Sequence, residues 1–454
     1  MKKIFKKLPD LLFFLSILFF TVGLNLQDNP PGGWYQQFLP DVNNMPISDI
    51  EFLDSLVGFA VTGDGTVGDT NYIIKTTNGG DNWFINFRAY KNFERVIFIN
   101  NNVGYVCGGL NDIYGALYKT TNAGGNWIRL NTPFAINYED MSVLNEDTIW
   151  VVDDSGFDGG VFRTTNGGQN WTQQFNVIGT NPSAIYMYNG KLGFFNQGLG
   201  PFGNLYRTTN SGENWIKVQA EYGFEDMLFI DSLTGYKAYG IMKKTTNGGL
   251  DWQTQTLPSG AIFLVSNMYK FSVLNRDTLW GVGGTISFNP YNYRGIIWKT
   301  TNAGDNWGFQ IPDTSIHLWS YYYIDFSNKL NGWAFVPIPN TGIHTTTGGN
   351  DTTIYMEMKP ISTEIPGGYK LHQNYPNPFN YSTRIKFDIS KNSYVALKVY
   401  NLLGKEIDEI VNSKINAGSY DFKFVGSELT SGVYLCRLVV DDNKIDTKKM
   451  VLIK

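Results

Sequence analysis

The sequence predicts an all-β protein in which a repeated four-stranded unit is followed by a second, smaller β-domain. Aromatic residues make up 15% of the 454 residues and charged residues only 17%, and 49 residues are glycine. Such a composition is typical of short strands joined by tight turns. A nine-residue motif recurs up to about residue 350. Beyond about residue 358 the repeat ends and the strand-like runs have a different spacing. The length also favours more than one domain.

The repeated motif has the form Lys/Arg-Thr-Thr-Asn-Gly/Ala/Ser-Gly-x-Asn/Asp-Trp. Six copies begin at residues 75, 119, 163, 207, 244 and 299, and a seventh begins at His344 but lacks the tryptophan. The steps between successive copies are 44, 44, 44, 37, 55 and 45 residues. A period of about 40–50 residues built on hairpins is typical of propeller blades. Seven copies therefore predict a seven-bladed β-propeller.

Each copy is predicted to form a tight hairpin. In the second copy, the strand-like run 116–118 precedes the motif and the run 127–130 follows it. The Asn-Gly-Gly core supplies residues that tolerate positive φ, and the threonine hydroxyls and asparagine amide can satisfy backbone groups of the turn. A single hairpin cannot bury its own apolar faces, so neighbouring units must stack to form a core.

Two further strand-like runs precede each hairpin, which gives four strands per blade. The first, innermost run lies at residues 50–52, 96–98, 141–143, 185–187, 227–229, 271–273 and 324–326. The second begins at residues 58, 104, 149, 193, 235, 279 and 332 and has an aromatic residue in second place.

The segment 33–38 resembles the strand that follows a motif, although no motif precedes it. If it is the outermost strand of the last blade, the two ends of the propeller pair in one sheet and close the ring. The missing tryptophan of the last motif is consistent with this closure. The run 353–356 directly follows that motif and is a competing outer strand.

The motif resembles the Asp-box, or BNR repeat, with asparagine where that family most often has aspartate. In the first copy, Thr76, Asn78, Gly80 and Trp83 occupy the positions of the family pattern. The wider unit is most similar to Ycf48-like photosystem-assembly propellers and their bacterial relatives. This resemblance implies a structural hairpin at the blade periphery, not a catalytic element. It implies the same role for the tryptophans of the other copies, Trp127, Trp171, Trp215, Trp252 and Trp307.

Residues 1–24 are predicted to be a signal peptide. Four lysines within residues 1–7 form a basic region, and the apolar stretch 11–24 is too short for a comfortable transmembrane helix. An uncleaved membrane anchor is the alternative. No later apolar stretch is long enough to span a bilayer. The propeller is accordingly expected at residues 33–358 of an exported chain.

Residues 359–368 are rich in proline, glycine and small polar residues and are predicted to be a linker. Strand-like runs at 382–389, 394–400, 418–424, 432–440 and 448–454 then predict a small, immunoglobulin-like β-sandwich over residues 369–454.

The C-terminal domain resembles the type A sorting domain of the type IX secretion system of Bacteroidetes. The residues that carry this resemblance include Tyr375, Pro376, Asn377, Pro378, Phe379, Asn380, Gly404, Gly432 and Tyr434. The resemblance implies passage through the outer membrane, with the secretion machinery and a sortase-like peptidase as partners. The chain would then be attached to the cell surface or released.

Charge and cysteine content narrow the possible partners. The net charge is −4, while residues 1–10 carry +3 and residues 369–454 carry +4, which leaves −11 for the residues between them. A basic surface for nucleic acid is therefore excluded, and neutral or cationic partners are favoured.

Cys107 and Cys436 lie in apolar strand patterns of different domains and predict buried thiols instead of a disulfide framework.

Acidic residues immediately before several innermost strands are the main candidates for chemistry. In a propeller these positions gather at one mouth of the central channel, where paired carboxylates could hydrolyse a glycosidic bond. Arg95 and Lys270 share this register, so an ion-paired channel rim is the alternative. The candidates are Asp49, Glu139, Asp140, Glu225 and Asp226, and Glu94 stands at an equivalent position.

Other chemistries have less support in the sequence. A sialidase needs three convergent arginines; Arg163 and Arg207 occupy a repeated motif position that is otherwise lysine, and the remaining arginines are scattered. The three histidines share no ligand spacing. Loops 64–69 and 153–158 hold acids and glycines that could bind calcium without the EF-hand spacing, so the sequence predicts no cofactor, with calcium as the alternative. The aromatic run 319–323 could stack on a ligand or belong to the blade core.

The sequence therefore predicts an exported, non-catalytic propeller that binds a glycan or a protein. The alternative is a secreted glycoside hydrolase that uses the channel-mouth carboxylates. Fold resemblance alone does not decide between them.

Overall fold

The structure, a computed structural model, describes residues 33–63, 69–109, 115–133, 137–153, 159–176, 182–198, 203–259, 263–287, 293–312, 316–338, 340–349, 365–380, 382–415, 417–426, 429–441 and 443–454. The predicted signal peptide and most of the predicted linker lie outside these residues. The regular structure that these residues form is entirely β-strand, and none of it is a helix that could span a membrane.

The strands are numbered in chain order. They are β1 (Tyr35–Phe38), β2 (Ile47–Phe52), β3 (Gly58–Thr62), β4 (Asn71–Thr76), β5 (Trp83–Ala89), β6 (Asn92–Phe98), β7 (Gly104–Gly109), β8 (Ala116–Thr120), β9 (Ile128–Arg129), β10 (Tyr138–Val143), β11 (Ile149–Asp153), β12 (Gly160–Thr164), β13 (Thr172–Asn176), β14 (Pro182–Met187), β15 (Gly193–Gln197), β16 (Asn204–Thr208), β17 (Ile216–Tyr222), β18 (Asp226–Phe229), β19 (Gly235–Tyr239), β20 (Ile241–Thr245), β21 (Gln253–Thr254), β22 (Phe263–Val273), β23 (Leu279–Ser287), β24 (Tyr293–Thr300), β25 (Gly308–Gln310), β26 (Tyr323–Phe326), β27 (Gly332–Phe335), β28 (Thr341–Thr345), β29 (Lys370–Leu371), β30 (Ser382–Ile389), β31 (Ser393–Asn401), β32 (Glu406–Ile415), β33 (Gly418–Val425), β34 (Gly432–Val440) and β35 (Asn443–Leu452).

Up to residue 349, the described strands form four-stranded antiparallel sheets, which we call blades and number by their innermost strands. The strands of each blade are consecutive, except that the last blade joins β26, β27 and β28 to β1. The innermost strands of blades 1–7 are β2, β6, β10, β14, β18, β22 and β26. Each innermost strand contacts the next one, and β26 contacts β2. The arrangement is therefore a closed β-propeller, and the prediction of four strands per unit is confirmed.

The N-terminal segment closes the ring as predicted. β1 pairs antiparallel with β28, with Tyr35 opposite His344 and Phe38 opposite Thr341. The Trp34 indole N–H donates to Gln310 Oε1 at 2.8 Å, as Trp127 donates to Asn86 Oδ1 at 2.8 Å in blade 2. Trp34 thus stands where the other motifs place their tryptophan.

The seventh motif is consequently split between the two ends of the propeller. The Gly33 N–H donates to Thr347 Oγ1 at 3.1 Å, which joins the N-terminal part to the hairpin that follows β28. The competing run 353–356 lies outside the described residues.

The Asp-box motifs form hairpins between the two outer strands of their blades. In the first copy, the N–H of Gly80 donates to Thr76 Oγ1 at 2.9 Å, and the N–H of Asn82 donates to Asn78 Oδ1 at 3.0 Å. These bonds replace ladder partners that the turn residues lack. Gly80 has a φ of +90° and would place a Cβ against the Gln37 side chain, so glycine is required there.

Aromatic stacking joins neighbouring blades at the box end of the channel. In blades 1, 2, 5 and 7 the innermost strand ends in a phenylalanine that stacks on an aromatic ring of the preceding blade, as Phe52 does on Trp333 with centroids 3.6 Å apart. The first residue of the motif covers the same kind of ring: Lys75 lies over Phe59 and Arg163 over Trp150, at 5.2 and 5.0 Å. The motif cation is thus a packing residue, which accounts for Arg163 without a sialidase site.

The C-terminal domain contains two sheets, β29-β30-β33 and β32-β31-β34-β35, around one apolar core. The predicted strands are present, but β29 and β32 were not predicted. A register shift in the pairing of β31 with β32 breaks the alternation that strand prediction depends on, and the consecutive residues Ile410 and Val411 are both buried. Both cysteines are buried and free, as predicted.

Candidate functional site

The innermost strands surround a cavity of about 440 Å³ at the centre of the propeller. We call the Asp-box end of the channel lower and the opposite end upper. Because side chains two residues apart share one face of a strand, each innermost strand presents two positions to the channel. The cavity is lined in its upper layer by Asp49, Arg95, Asp226, Lys270 and Tyr323, and in its lower layer by Glu51, Ile97, Ser142, Tyr186, Leu228, Ser272 and Asp325. The equivalent upper positions of β10 and β14 are Asp140, which lies 3.6 Å from Arg95, and the buried Ala184.

The polar channel residues accept hydrogen bonds from backbone N–H groups of the neighbouring blade. An innermost strand is an edge strand, so its channel-facing N–H groups have no ladder partner. Side-chain oxygens of one blade accept these N–H groups from the next. The acceptor and donor pairs are Asp49 with Val96, Glu51 with Phe98, Asp140 with Ile185, Ser142 with Met187, Tyr186 with Phe229, Asp226 with Phe271, Ser272 with Phe326, and Asp325 with Phe52, at 2.7–3.1 Å.

Arg95 joins two of the predicted acids. Its Nε lies 3.4 Å from Asp49 Oδ2 and 3.6 Å from Asp140 Oδ1. Burial raises the pKa of Asp140 and outweighs the opposing attraction of Arg95. The structure thus places Asp49, Asp140 and Asp226 in the upper layer, where they accept strand N–H groups, and it pairs the first two with a cation.

Glu139 and Glu225 lie one residue further up. In blades 1–4 a β-bulge interrupts the pairing just above the upper layer, and Glu139 is the bulged residue of blade 3. Glu139 accepts a hydrogen bond from Asn137 Nδ2 at 2.6 Å. Burial raises the pKa of Glu225, while Lys270 opposes the rise. The predicted acids are therefore divided between two levels of the channel.

Two buried carboxyl groups of the lower layer were not identified from the sequence. Burial raises the pKa of Asp325 to about 6. Burial, with the neighbouring charge of Asp325, also raises the pKa of Glu51 well above its ordinary range. The available signal was the strand period of two, because Glu51 follows Asp49 by two residues.

Replacing Asp325 by asparagine is expected to change how stability depends on pH. The pKa of Asp325 is about 6 in the folded chain and 3.8 ordinarily, so its contribution to stability is present below about pH 4 and is lost as the pH rises through about 6. As the pH rises from 4 to 7, the Tm from thermal melts should decrease less in Asp325→Asn than in the unaltered chain. Exposed Asp147→Asn is the control and should keep the original slope; an unchanged slope in Asp325→Asn would contradict the assignment.

An aromatic group lies above the channel on one side. Tyr269 and Tyr322 stack with centroids 5.3 Å apart and planes inclined by 3°. Trp319 is 70% exposed and contacts Tyr293 at 5.1 Å. The predicted aromatic run 319–323 therefore has two roles: Tyr321 is buried in the core, while Trp319 and Tyr322 face the solvent.

Metal chemistry finds no support among the residues that the structure describes, where no group of three or more histidine, cysteine or acidic residues could hold an ion. His344 is buried and stacks on Trp333, and His372 contacts Asp388 at 2.7 Å in the C-terminal domain. Residues 64–68 and 154–158 of the predicted calcium loops lie outside the described residues.

Comparison with protein-family models identifies a secretion system C-terminal sorting domain at residues 373–454. The chain is therefore exported by the type IX secretion system, to the cell surface or the medium. Comparison of the sequence with the curated proteins finds no match.

Several solved structures resemble the chain. The GH74 enzyme of Niastella koreensis is 14% identical over 91% of this chain and 67% of the enzyme, with a TM-score of 0.53. YCF48 from Cyanidioschyzon merolae is 15% identical over 69% and 99%, with a TM-score of 0.48. PorZ, a surface component of the type-IX secretion system of Porphyromonas gingivalis, is 13% identical over 88% and 68%, with a TM-score of 0.32. At these identities the first similarity supports the fold and not an activity.

Proposed function

We propose that the exported chain is a non-catalytic binding module whose ligand contacts the upper mouth of the propeller channel. The observation that carries this proposal is the use of the channel carboxylates. Asp49, Asp140 and Asp226 accept backbone N–H groups of the next blade, and Arg95 pairs with two of them. A glycosidase needs one carboxyl group free to donate a proton and a second free to attack or to activate water. These three are occupied by structural bonds.

The proposal extends to the organisation of the chain. We propose a signal peptide at residues 1–24, a seven-bladed propeller at 33–358, a linker at 359–368 and an immunoglobulin-like sorting domain at 369–454. The seven innermost strands in ring contact support the blade number, and the two sheets around one core support the sandwich. A sortase-like peptidase is the proposed partner of the C-terminal domain, and a glycan or protein that of the propeller.

The alternative is a glycoside hydrolase, and one observation favours it. The buried pair Glu51 and Asp325 has raised pKa values, as an acid catalyst requires. Both groups nevertheless accept strand N–H groups at 2.8 and 2.7 Å.

A binding and product assay separates the two functions. The chain from residue 25 onward would be incubated with a panel of polysaccharides and surface proteins, and both retention and released reducing ends would be measured. We expect retention without product. The hydrolase would be established if product formed and then disappeared in Glu51→Gln or Asp325→Asn. The surface variant Glu213→Gln is the control and should still form product.

A further inference from the structure

We infer that the aromatic group on blades 6 and 7 is the binding site for a neutral oligosaccharide. This inference rests on the proposed function, because it names the ligand class of the same upper mouth. The site consists of the rings of Tyr269, Tyr293, Trp319 and Tyr322, with Glu225 beside them.

Blade 6 is built differently from the other blades. Its strands β22, β23 and β24 have 11, 9 and 8 residues, whereas the first three strands of the other blades have 4–7. β22 begins seven residues before Lys270 of the upper layer, so the added length rises above the channel. We call this added upper part of β22, β23 and β24 the wall. The other blades close the ring without such an extension, so the wall is not needed for ring closure. It gives the upper mouth one distinct side.

Hydrogen bonds fix this wall in place. The N–H of Met268 donates to Gly240 O of blade 5 at 3.0 Å, and Asn267 Nδ2 donates to the Tyr269 hydroxyl at 2.9 Å. Thr285 Oγ1 donates to Trp319 O at 3.0 Å. The exposed Trp319 ring is thus carried on a backbone held by the wall, which reduces the entropy lost when a ligand binds.

The rings and polar groups together match a sugar. A pyranose has an apolar C–H face that packs on an aromatic ring and a rim of hydroxyls that need hydrogen-bond partners, and tyrosine supplies both contacts. Trp319 and Tyr322 are three residues apart, so their Cα atoms are separated by at most about 11 Å. An oligosaccharide of two or three units is therefore long enough to reach from one ring to the other.

The local charges favour a neutral ligand. Burial raises the pKa of Glu225, and the positive charge of Lys270 opposes that rise, so an acid and a base are both present at this end of the channel. Burial raises the pKa of the Tyr239 and Tyr322 hydroxyls, and the negative charge of Glu225 adds to the rise in both, in Tyr322 after the effect of Tyr269. An anionic glycan would also meet the net charge of −11 between residues 11 and 368. A cationic peptide would meet the positive charges of Arg95 and Lys270 in the upper layer.

The test uses the chain from residue 25 onward on an array of neutral oligosaccharides, uronic-acid oligosaccharides and basic peptides. Trp319→Ala should weaken binding of the neutral sugars by about tenfold, and Trp319→Phe should restore most of it. The control is Phe84→Ala, which removes another exposed aromatic side chain, on the outer strand β5, and should not change binding. All three variants should retain the Tm of the unaltered chain.

Several outcomes would overturn the inference. Binding of neutral sugars that is unchanged in Trp319→Ala would place the site elsewhere. Binding only of uronic-acid sugars or only of basic peptides would refute the ligand class but leave the proposed binding function intact. An array without any bound probe would also refute the sugar ligand, whereas shortening of a bound sugar would refute the non-catalytic function itself.

Discussion

Replacing Trp34 by alanine is expected to lower the free energy of unfolding of the propeller by about 3–5 kcal/mol. The Trp34 side chain is 2% exposed, donates to Gln310, and meets Phe326 edge to face at 5.8 Å. Its loss leaves a large cavity and removes the N–H that Gln310 Oε1 accepts at the joint between the two ends of the ring. Few other single residues should contribute as much to the stability of the propeller, because Trp34 lies at the sheet that joins the first and last strands of the propeller.

Urea unfolding and hydrogen exchange would test this prediction. The matched control is Trp83→Ala, which removes the motif tryptophan of blade 1, where the hairpin is continuous. Both variants should lose stability, but only Trp34→Ala should lose amide protection in β1 and β28. Equal protection of these strands in the two variants would show that the split motif does not close the ring.

Replacing Arg95 by methionine is the second change with a large expected effect. The variant leaves Asp49 and Asp140 in the channel without their cation. Because the Arg95 side chain is 27% exposed, we expect a loss of about 3 kcal/mol, at the lower end of the range for breaking a buried charge pair. We expect the loss to be largest at neutral pH and smaller in acid, because burial raises the pKa of Asp140 and this carboxyl group loses its charge as the pH falls. Urea unfolding at pH 7 and pH 4.5 measures it.

The control for this prediction is Arg88→Met on the outer strand β5, because Arg88 is exposed and a surface change of this kind is usually within about 0.5 kcal/mol. If Arg95→Met were as stable as the control but failed to bind ligand, Arg95 would be a ligand contact and not a structural cation. That result would place the binding site within the channel.

The repeat could be predicted because it is encoded by local turn chemistry. The Thr-x-Asn-x-Gly pattern specifies its own hydrogen bonds within five residues, and each copy does so independently. The closure by 33–38 followed from the same pattern, since Trp34 was a motif tryptophan without a motif. Strand β32 was missed because a register shift removed the period of two.

The channel was only partly predictable, because its geometry depends on residues from different blades. The sequence placed Asp49, Asp140 and Asp226 at the mouth, but the acceptance of neighbouring strand N–H groups is a contact between blades that no local pattern reveals. The coupling of Glu51 with Asp325 joins residues more than 270 positions apart in the sequence. The extended wall of blade 6 had one signal, the 55-residue step between the fifth and sixth motifs.

The most direct test of the central claim is the fate of a bound glycan. The chain from residue 25 onward would be held in excess over a retained oligosaccharide for several days, and the sugar would then be recovered and its length measured by mass spectrometry. We expect full recovery of the sugar at its original length, with retention lost in Trp319→Ala. Recovery of shortened sugar, with shortening abolished in Asp325→Asn, would contradict it and identify a hydrolase.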